Sequence, residues 1–109
     1  GLDVVARGEV WLVRLDPTER REIRKTRPCL VISPPELHDF LDVVITAPMT
    51  TGSRPAPFRC SIDFSGKKGF ILLDQIRTID KRRLTRKIGA VSHRDLSATL
   101  TILQKLFSE

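Results

Sequence analysis

Two short stretches of this chain carry residue types that could do chemistry. Arg27-Pro28 stands at the entrance of the apolar run Cys29-Leu30-Val31-Ile32. Pro48-Met49-Thr50-Thr51-Gly52-Ser53 forms the hydroxyl-rich exit of a second run, Val43-Val44-Ile45-Thr46-Ala47. Pro28 fixes its own φ and pushes the residue before it into an extended conformation, so the Arg27 side chain is presented at a defined strand entrance. A planar, always-charged guanidinium facing hydroxyl donors suits a phosphate group, either to bind it or to break its ester. Breaking it needs a base, an acid and a group to hold the charge that builds on the phosphoryl oxygens. Arg27 suits the third role and Thr50 can add a hydrogen bond. A guanidinium is a poor base, because its pKa lies above about 12. Glu22, in the loop just before Arg27, can serve as the base or can orient the arginine.

The elements that must hold these groups are short. Glu9–Leu15 reads as a strand with Trp11, Val13 and Leu15 on one face, and Asp16-Pro17-Thr18 ends it. A polar loop, 18–26, leads to a buried strand over 28–33 that Pro34-Pro35 stops. Glu36–Phe40 fits a turn or a short helical piece, and 42–50 is a third strand. Phe58–Phe64 alternates, with Phe58, Cys60, Ile62 and Phe64 on one side, and 65–69 reads as a hairpin connection. The segments 70–73 and 75–79 give one strand, or two joined at a bend. A helical turn over 80–84 and a last strand over 87–91 follow. Ser92, with Asp95 three positions on, caps an amphipathic helix carrying Leu96, Leu100, Leu103 and Phe107, flanked by Ile102 and Leu106. A mainly β domain with one C-terminal helix follows, as a small, strongly twisted antiparallel sheet or open barrel.

The chain has 109 residues, 40% hydrophobic and 29% charged, the size of one domain spanning 1–109 with one core. No apolar run approaches the roughly 20 residues needed to span a bilayer, and no signal-peptide pattern is seen, so the cytoplasm is the expected compartment. Cys29 and Cys60 sit in apolar or alternating segments as small hydrophobes, not as a disulfide. Neither has a companion at metal-ligand spacing and no carboxylates or histidines cluster, so no metal or other cofactor is expected. The formal net charge of +6 favours a polyanion or an acidic protein as partner. The cations fall into two clusters, Arg20, Arg21, Arg24, Lys25 and Arg27, and Lys81, Arg82, Arg83, Arg86 and Lys87, with Glu19, Glu22 and Asp80 interleaved.

Taken in order, Arg7-Gly8-Glu9-Val10-Trp11, Leu15-Asp16-Pro17-Thr18, Glu22, Arg27-Pro28, Ser33-Pro34, Pro48-Met49-Thr50-Thr51 and Leu73-Asp74-Gln75-Ile76-Arg77-Thr78-Ile79-Asp80 resemble the MazF/PemK (Kid) toxin family. The resemblance runs from Arg7 to the C-terminal helix. It implies a compact CcdB/PemK-like fold, a homodimer, and the toxin half of a bacterial type II toxin–antitoxin pair. The implied activity is a ribosome-independent, metal-independent endoribonuclease, an mRNA interferase cutting single-stranded RNA at short sequences. In that reaction the 2′-hydroxyl attacks the neighbouring phosphorus, leaving 2′,3′-cyclic phosphate and 5′-hydroxyl ends. DNA lacks this nucleophile. A cognate antitoxin neutralises such a toxin, and operator DNA is bound only through the toxin–antitoxin complex.

By the same resemblance Arg27 matches the family's catalytic arginine, Thr50 its catalytic threonine and Glu22 an acidic loop position tied to activity. Arg20, Arg21, Arg24, Lys25, Thr51, Ser53, Asp74, Gln75 and Arg77 are the expected RNA-binding positions. Two departures favour MazF-like over PemK-like chemistry. Arg21 occupies the PemK-type histidine position, and Leu72 that of an arginine two before Asp74. Arg20-Arg21 also replaces a small pair, so this loop is either an RNA groove with added cations or a docking surface for an acidic antitoxin tail.

Read singly, each of these residues has a plainer role. Arg27 is then a surface ion-pair donor, Thr50 a strand-end residue bonding its own backbone, Asp74 a turn clamp and Glu22 a neutralising partner for Arg21 or Lys25. His38 and His93 are expected on the surface, and Trp11 and the phenylalanines in the core rather than as base-stacking platforms. Two other functions remain in view, a CcdB-like poison that binds DNA gyrase without cutting RNA, and a basic nucleic-acid-binding module.

Overall fold

The computed structural model describes residues 4–14, 26–52 and 54–109, and among these the chain forms seven strands and two helices. They are β1 (Glu9–Arg14), β2 (Thr26–Val31), α1 (Pro35–Phe40), β3 (Val43–Thr50), β4 (Arg59–Phe64), β5 (Lys67–Leu72), β6 (Arg77–Asp80), β7 (Leu84–Ala90) and α2 (His93–Leu106). Single 3₁₀ turns at Leu73–Gln75 and Lys81–Arg83 link β5 to β6 and β6 to β7. Every pairing is antiparallel, in the order β4-β5-β3-β2-β1-β7. β6 pairs with the first half of β3. The architecture is the expected mainly β one, an open antiparallel sheet with a helix at the C-terminal end.

β3 organises the sheet because it meets one bent stretch of chain twice. Met49 and Thr50 pair with Ile71 and Phe70 of β5, and Val43–Thr46 pair with β6. The bend at Leu73-Asp74-Gln75 separates the two pairings, so 67–80 is two strands joined at a turn. The alternation of side chains along each strand builds two layers of core. Val10, Leu30, Ala47, Met49, Ile62 and Ile71 pack on one face, where Ile102 and Leu103 of α2 cover them. Trp11, Val13, Cys29, Val31, Val44 and Ile79 pack on the other. Burying each of these aliphatic side chains contributes about 1.5–3 kcal/mol.

Several boundaries differ from the sequence reading. β4 starts at Arg59 because Phe58 takes a positive φ of 65°, inside a turn closed by the Arg59 N–H to Ala56 carbonyl bond of 3.2 Å. The expected five-residue hairpin connection is a two-residue turn, Ser65-Gly66, with φ of 53° and 78°. That mirror-image turn matches the twist of a strand pair, so Lys67 and Lys68 are already in β5. β7 begins three residues early, at Leu84. In α2 the Ser92 hydroxyl accepts from the Asp95 N–H at 3.1 Å, the expected cap. The deepest residue of that helix is Thr99, fully buried against Cys60, while Phe107 is 72% exposed beyond the last turn.

His38 corrects the sequence reading most sharply. It is buried, with Nε2 2.6 Å from the Ser33 hydroxyl and Nδ1 3.1 Å from the Val5 carbonyl. A carbonyl can only accept, so Nδ1 carries the proton and the Ser33 O–H donates to Nε2. Ser33 Oγ in turn accepts from the Ile45 N–H at 2.9 Å. A polar turn context suggested exposure, but α1 folds back onto the N-terminal segment and makes the imidazole a strut. Phe40, expected in the core, is 85% exposed at the end of the same helix.

Glu9 ties β1 to β7. Its Oε1 accepts from the Ala6 N–H and from Trp11 Nε1, both at 3.0 Å, and its Oε2 meets Lys87 Nζ at 3.0 Å. Burial alone pushes this carboxyl up. The Ala6 N–H, the Trp11 indole and Lys87 together outweigh burial and hold it below the ordinary glutamate range.

Candidate functional site

A cleft of about 440 Å³ opens where β2 begins, β3 ends and the β4–β5 hairpin turns. This volume lies within the roughly 300–1,000 Å³ common for ligand sites. Arg27 and Pro28 line it from β2, Met49, Thr50 and Thr51 from the end of β3, and Phe64, Ser65 and Lys67 from the hairpin. The sheet register explains why Arg27 and Thr50 share it. β2 and β3 are antiparallel neighbours with Cys29 opposite Pro48, so the start of β2, with Arg27, and the end of β3, with Thr50, lie at the same end of the sheet. Thr50 is paired with Phe70 of β5, which also lines the cleft.

Gly69 sets how closely β5 approaches the end of β3. A Cβ there would lie 2.3 Å from the Thr50 carbonyl oxygen and 3.3 Å from Thr51 Cα. Any side chain at this position would push Thr50-Thr51 off the hairpin, so the bare backbone holds both threonines at the cleft. The Thr50 hydroxyl accepts from the Gly52 N–H at 3.2 Å, as expected of a strand-end threonine, and its own proton remains available to donate outward. Arg27 is exposed at the strand entrance and has no carboxylate partner among the described residues. Its charge acts on Cys29, whose thiol burial pushes up to about 11 against the opposing pull of Arg77 and Arg27.

Of the other expected positions, Thr51 lines the cleft, whereas Asp74, Gln75 and Arg77 do not. The Asp74 carboxylate takes the Arg59 fork, with Nε at 3.1 Å and Nη2 at 3.2 Å. The Arg59 guanidinium holds the Asp74 carboxyl below its ordinary range. The turn-clamp reading of Asp74 is therefore the one its contacts describe. Arg77 lies in β6, paired with Thr46 and outside the cleft lining. Glu22, Arg20, Arg21, Arg24, Lys25 and Ser53 lie outside the described residues. Sequence reasoning missed Lys67, Ser65 and Phe64 as cleft residues. The basic pair directly after Ser65-Gly66 was the available signal, and it became one only when a two-residue turn put Lys67 in a strand. Among the described residues no three histidine, cysteine or acidic side chains gather at one place.

The fold and the cleft define a small antiparallel β protein with a cationic, hydroxyl-bearing site at the end of its sheet. Residues 6–107 match the model of the PemK-like, MazF-like toxin of type II toxin–antitoxin system, and the chain belongs to that family. It is 36% identical over 107 residues to the endoribonuclease PemK of Escherichia coli, covering 89% of this chain and 80% of that protein. MazF from Deinococcus radiodurans superposes with a TM-score of 0.79 at 24% identity, covering 95% of this chain and 96% of that one. A mycobacterial endoribonuclease in complex with its cognate antitoxin superposes with a TM-score of 0.77 at 22% identity, covering 93% and 92%.

Proposed function

We propose that this protein is the toxin of a type II toxin–antitoxin pair and acts in the cytoplasm as an endoribonuclease on single-stranded RNA, cutting at a short sequence without a metal ion. The 2′-hydroxyl of the nucleotide before the cut attacks the adjacent phosphorus, and the 5′-oxygen of the next nucleotide leaves. Arg27 grips two phosphoryl oxygens as charge builds on them, and Thr50 donates a further hydrogen bond. Glu22 is the proposed base, or the group that orients Arg27. Arg20, Arg21, Arg24, Lys25, Thr51, Ser53, Gln75 and Arg77 are the further RNA-binding positions of this reading. Asp74 clamps its turn through Arg59 and is a further RNA-binding position of this reading. A cognate antitoxin blocks the cleft and the toxin works as a homodimer, in keeping with the family and with the antitoxin complex of the mycobacterial relative.

The observation that carries this reading is that Arg27, at the start of β2, and Thr50, at the end of β3, line one cleft. The test is incubation of purified protein with long single-stranded RNA in EDTA, followed by sequencing of fragment 5′ ends. Discrete cuts at one short motif with 5′-hydroxyl termini are expected. Intact RNA across varied sequences would overturn the reading and leave gyrase poisoning or plain binding.

A further inference from the structure

Most of the cleft wall is not used by the roles given to Arg27 and Thr50. Beside them Pro28, Met49, Ile62, Phe64 and Ile88 form an apolar surface, closed at the hairpin by Ser65 and Lys67. Phe64 is the partly exposed member of a strand face on which Cys60 and Ile62 are each 7% exposed, so its ring still has area to cover. The ring is also held from behind. A Cβ on Gly89 would come within 2.9 Å of Phe64 Cζ, so the ring rests on bare backbone of β7. β4 and β7 are the two ends of the strand order, and this contact bridges the gap between them. An aromatic face fixed in this way is pre-organised rather than merely present. Lys67 pairs with Phe64 across the turn, which places cation and ring on one face of the hairpin. The charged residues lining the cleft among those described are Arg27 and Lys67, both cationic.

A fixed aromatic wall with a lysine at its lip matches an unstacked base and the phosphate beside it. Sequence-specific RNA recognition works largely by splaying single-stranded bases onto aromatic side chains. Resting on the ribonuclease reading above, we propose that this end of the cleft is a nucleotide subsite. One base of the RNA lies against Phe64, which sets the preference at that position beside the cut, and Lys67 holds the adjoining phosphate.

The test compares wild type, Phe64→Leu and Lys67→Gln on a randomised pool of single-stranded RNA, sequencing the cut sites. Phe64→Leu keeps an apolar group on Gly89 but removes the ring face. It is expected to lower kcat/KM about tenfold and to flatten base preference at one position beside the cut, leaving the rest of the motif unchanged. Lys67→Gln is expected to weaken binding to all sequences alike and to reduce the slope of log affinity against log salt by about one. Lys67 is exposed, so this variant reads the subsite even where Phe64→Leu is unstable. With a wild type that cuts, an unchanged preference in folded Phe64→Leu or an unchanged slope in Lys67→Gln overturns the subsite alone. A wild type that cuts nothing in the pool overturns the ribonuclease reading and the subsite with it.

Discussion

In the proposed reaction Arg27 offers a planar cation with a rigid pair of donors, and the Thr50 hydroxyl is the second donor to the phosphate. His38 is the opposite kind of residue, polar and titratable but spent entirely on holding the fold. Both ring nitrogens are engaged, and its partner Ser33 is only 2% exposed, so no substrate reaches the pair. His38→Ala leaves the Ser33 hydroxyl and the Val5 carbonyl without their partner and opens a cavity. A loss of about 2–4 kcal/mol in stability is expected, read from urea midpoints, with kcat of the folded fraction unchanged. A stable His38→Ala protein with lost activity would instead place this histidine in the chemistry. The contrast shows what single residues disclose. Arg27 was legible because Pro28 constrains it locally, and Thr50 because it closes an apolar run. His38 was not, because its burial depends on α1 meeting Val5, a contact between segments far apart in sequence. The clamp of Asp74 on Arg59 is likewise a tertiary fact, although the turn it closes was visible.

At the scale of elements, the candidate site depends on strand register. β2 and β3 must pair with Cys29 opposite Pro48, or Arg27 and Thr50 part company. β5 must close on β3 at Gly69, or the two threonines leave the cleft. Gly69→Ala should therefore fold with β5 displaced at its Thr50 end. Because the clash is with backbone, relief means moving Thr50, and kcat should fall about a hundredfold, with a smaller change in KM. Activity within threefold of wild type would show that the β5–β3 contact does not position the site. The strands themselves were largely legible, since alternation and continuous apolar runs are local signals. Their ends were less so. The type of the Ser65-Gly66 turn and the positive φ of Phe58 moved boundaries by a few residues, and with them moved Lys67, from a loop into the cleft. In α2 the apolar stripe was readable, but Thr99 takes its deepest place because its hydroxyl bonds back to the Asp95 carbonyl at 2.8 Å and needs no outside partner.

For the whole molecule, the fold class followed from many short strands and one late helix, and the order of strands is what turns it into a site. β1 is bound to β7 partly through Glu9, which gives a pH signature to overall stability. A carboxyl held below its unfolded value contributes fully above that value, about 4.3, and the contribution is lost as pH falls through the lower folded value. Glu9→Gln should be less stable than wild type at pH 7, and the gap in Tm should close as pH falls below about 4. A gap that stays constant from pH 7 to pH 3 would mean the ionised Glu9 adds nothing.

In the proposed reaction a phosphodiester is broken at the cleft where β2 meets β3, with Arg27 holding the developing charge. Single-turnover cleavage of an RNA carrying the wild-type cut motif, by wild type and by Arg27→Ala of matched circular dichroism and Tm, tests it most directly. The account predicts a rate lower by about a hundredfold or more at saturating enzyme, the cost of removing a charge-stabilising donor from a transition state. A folded Arg27→Ala protein that cuts within a few-fold of the wild-type rate would contradict it.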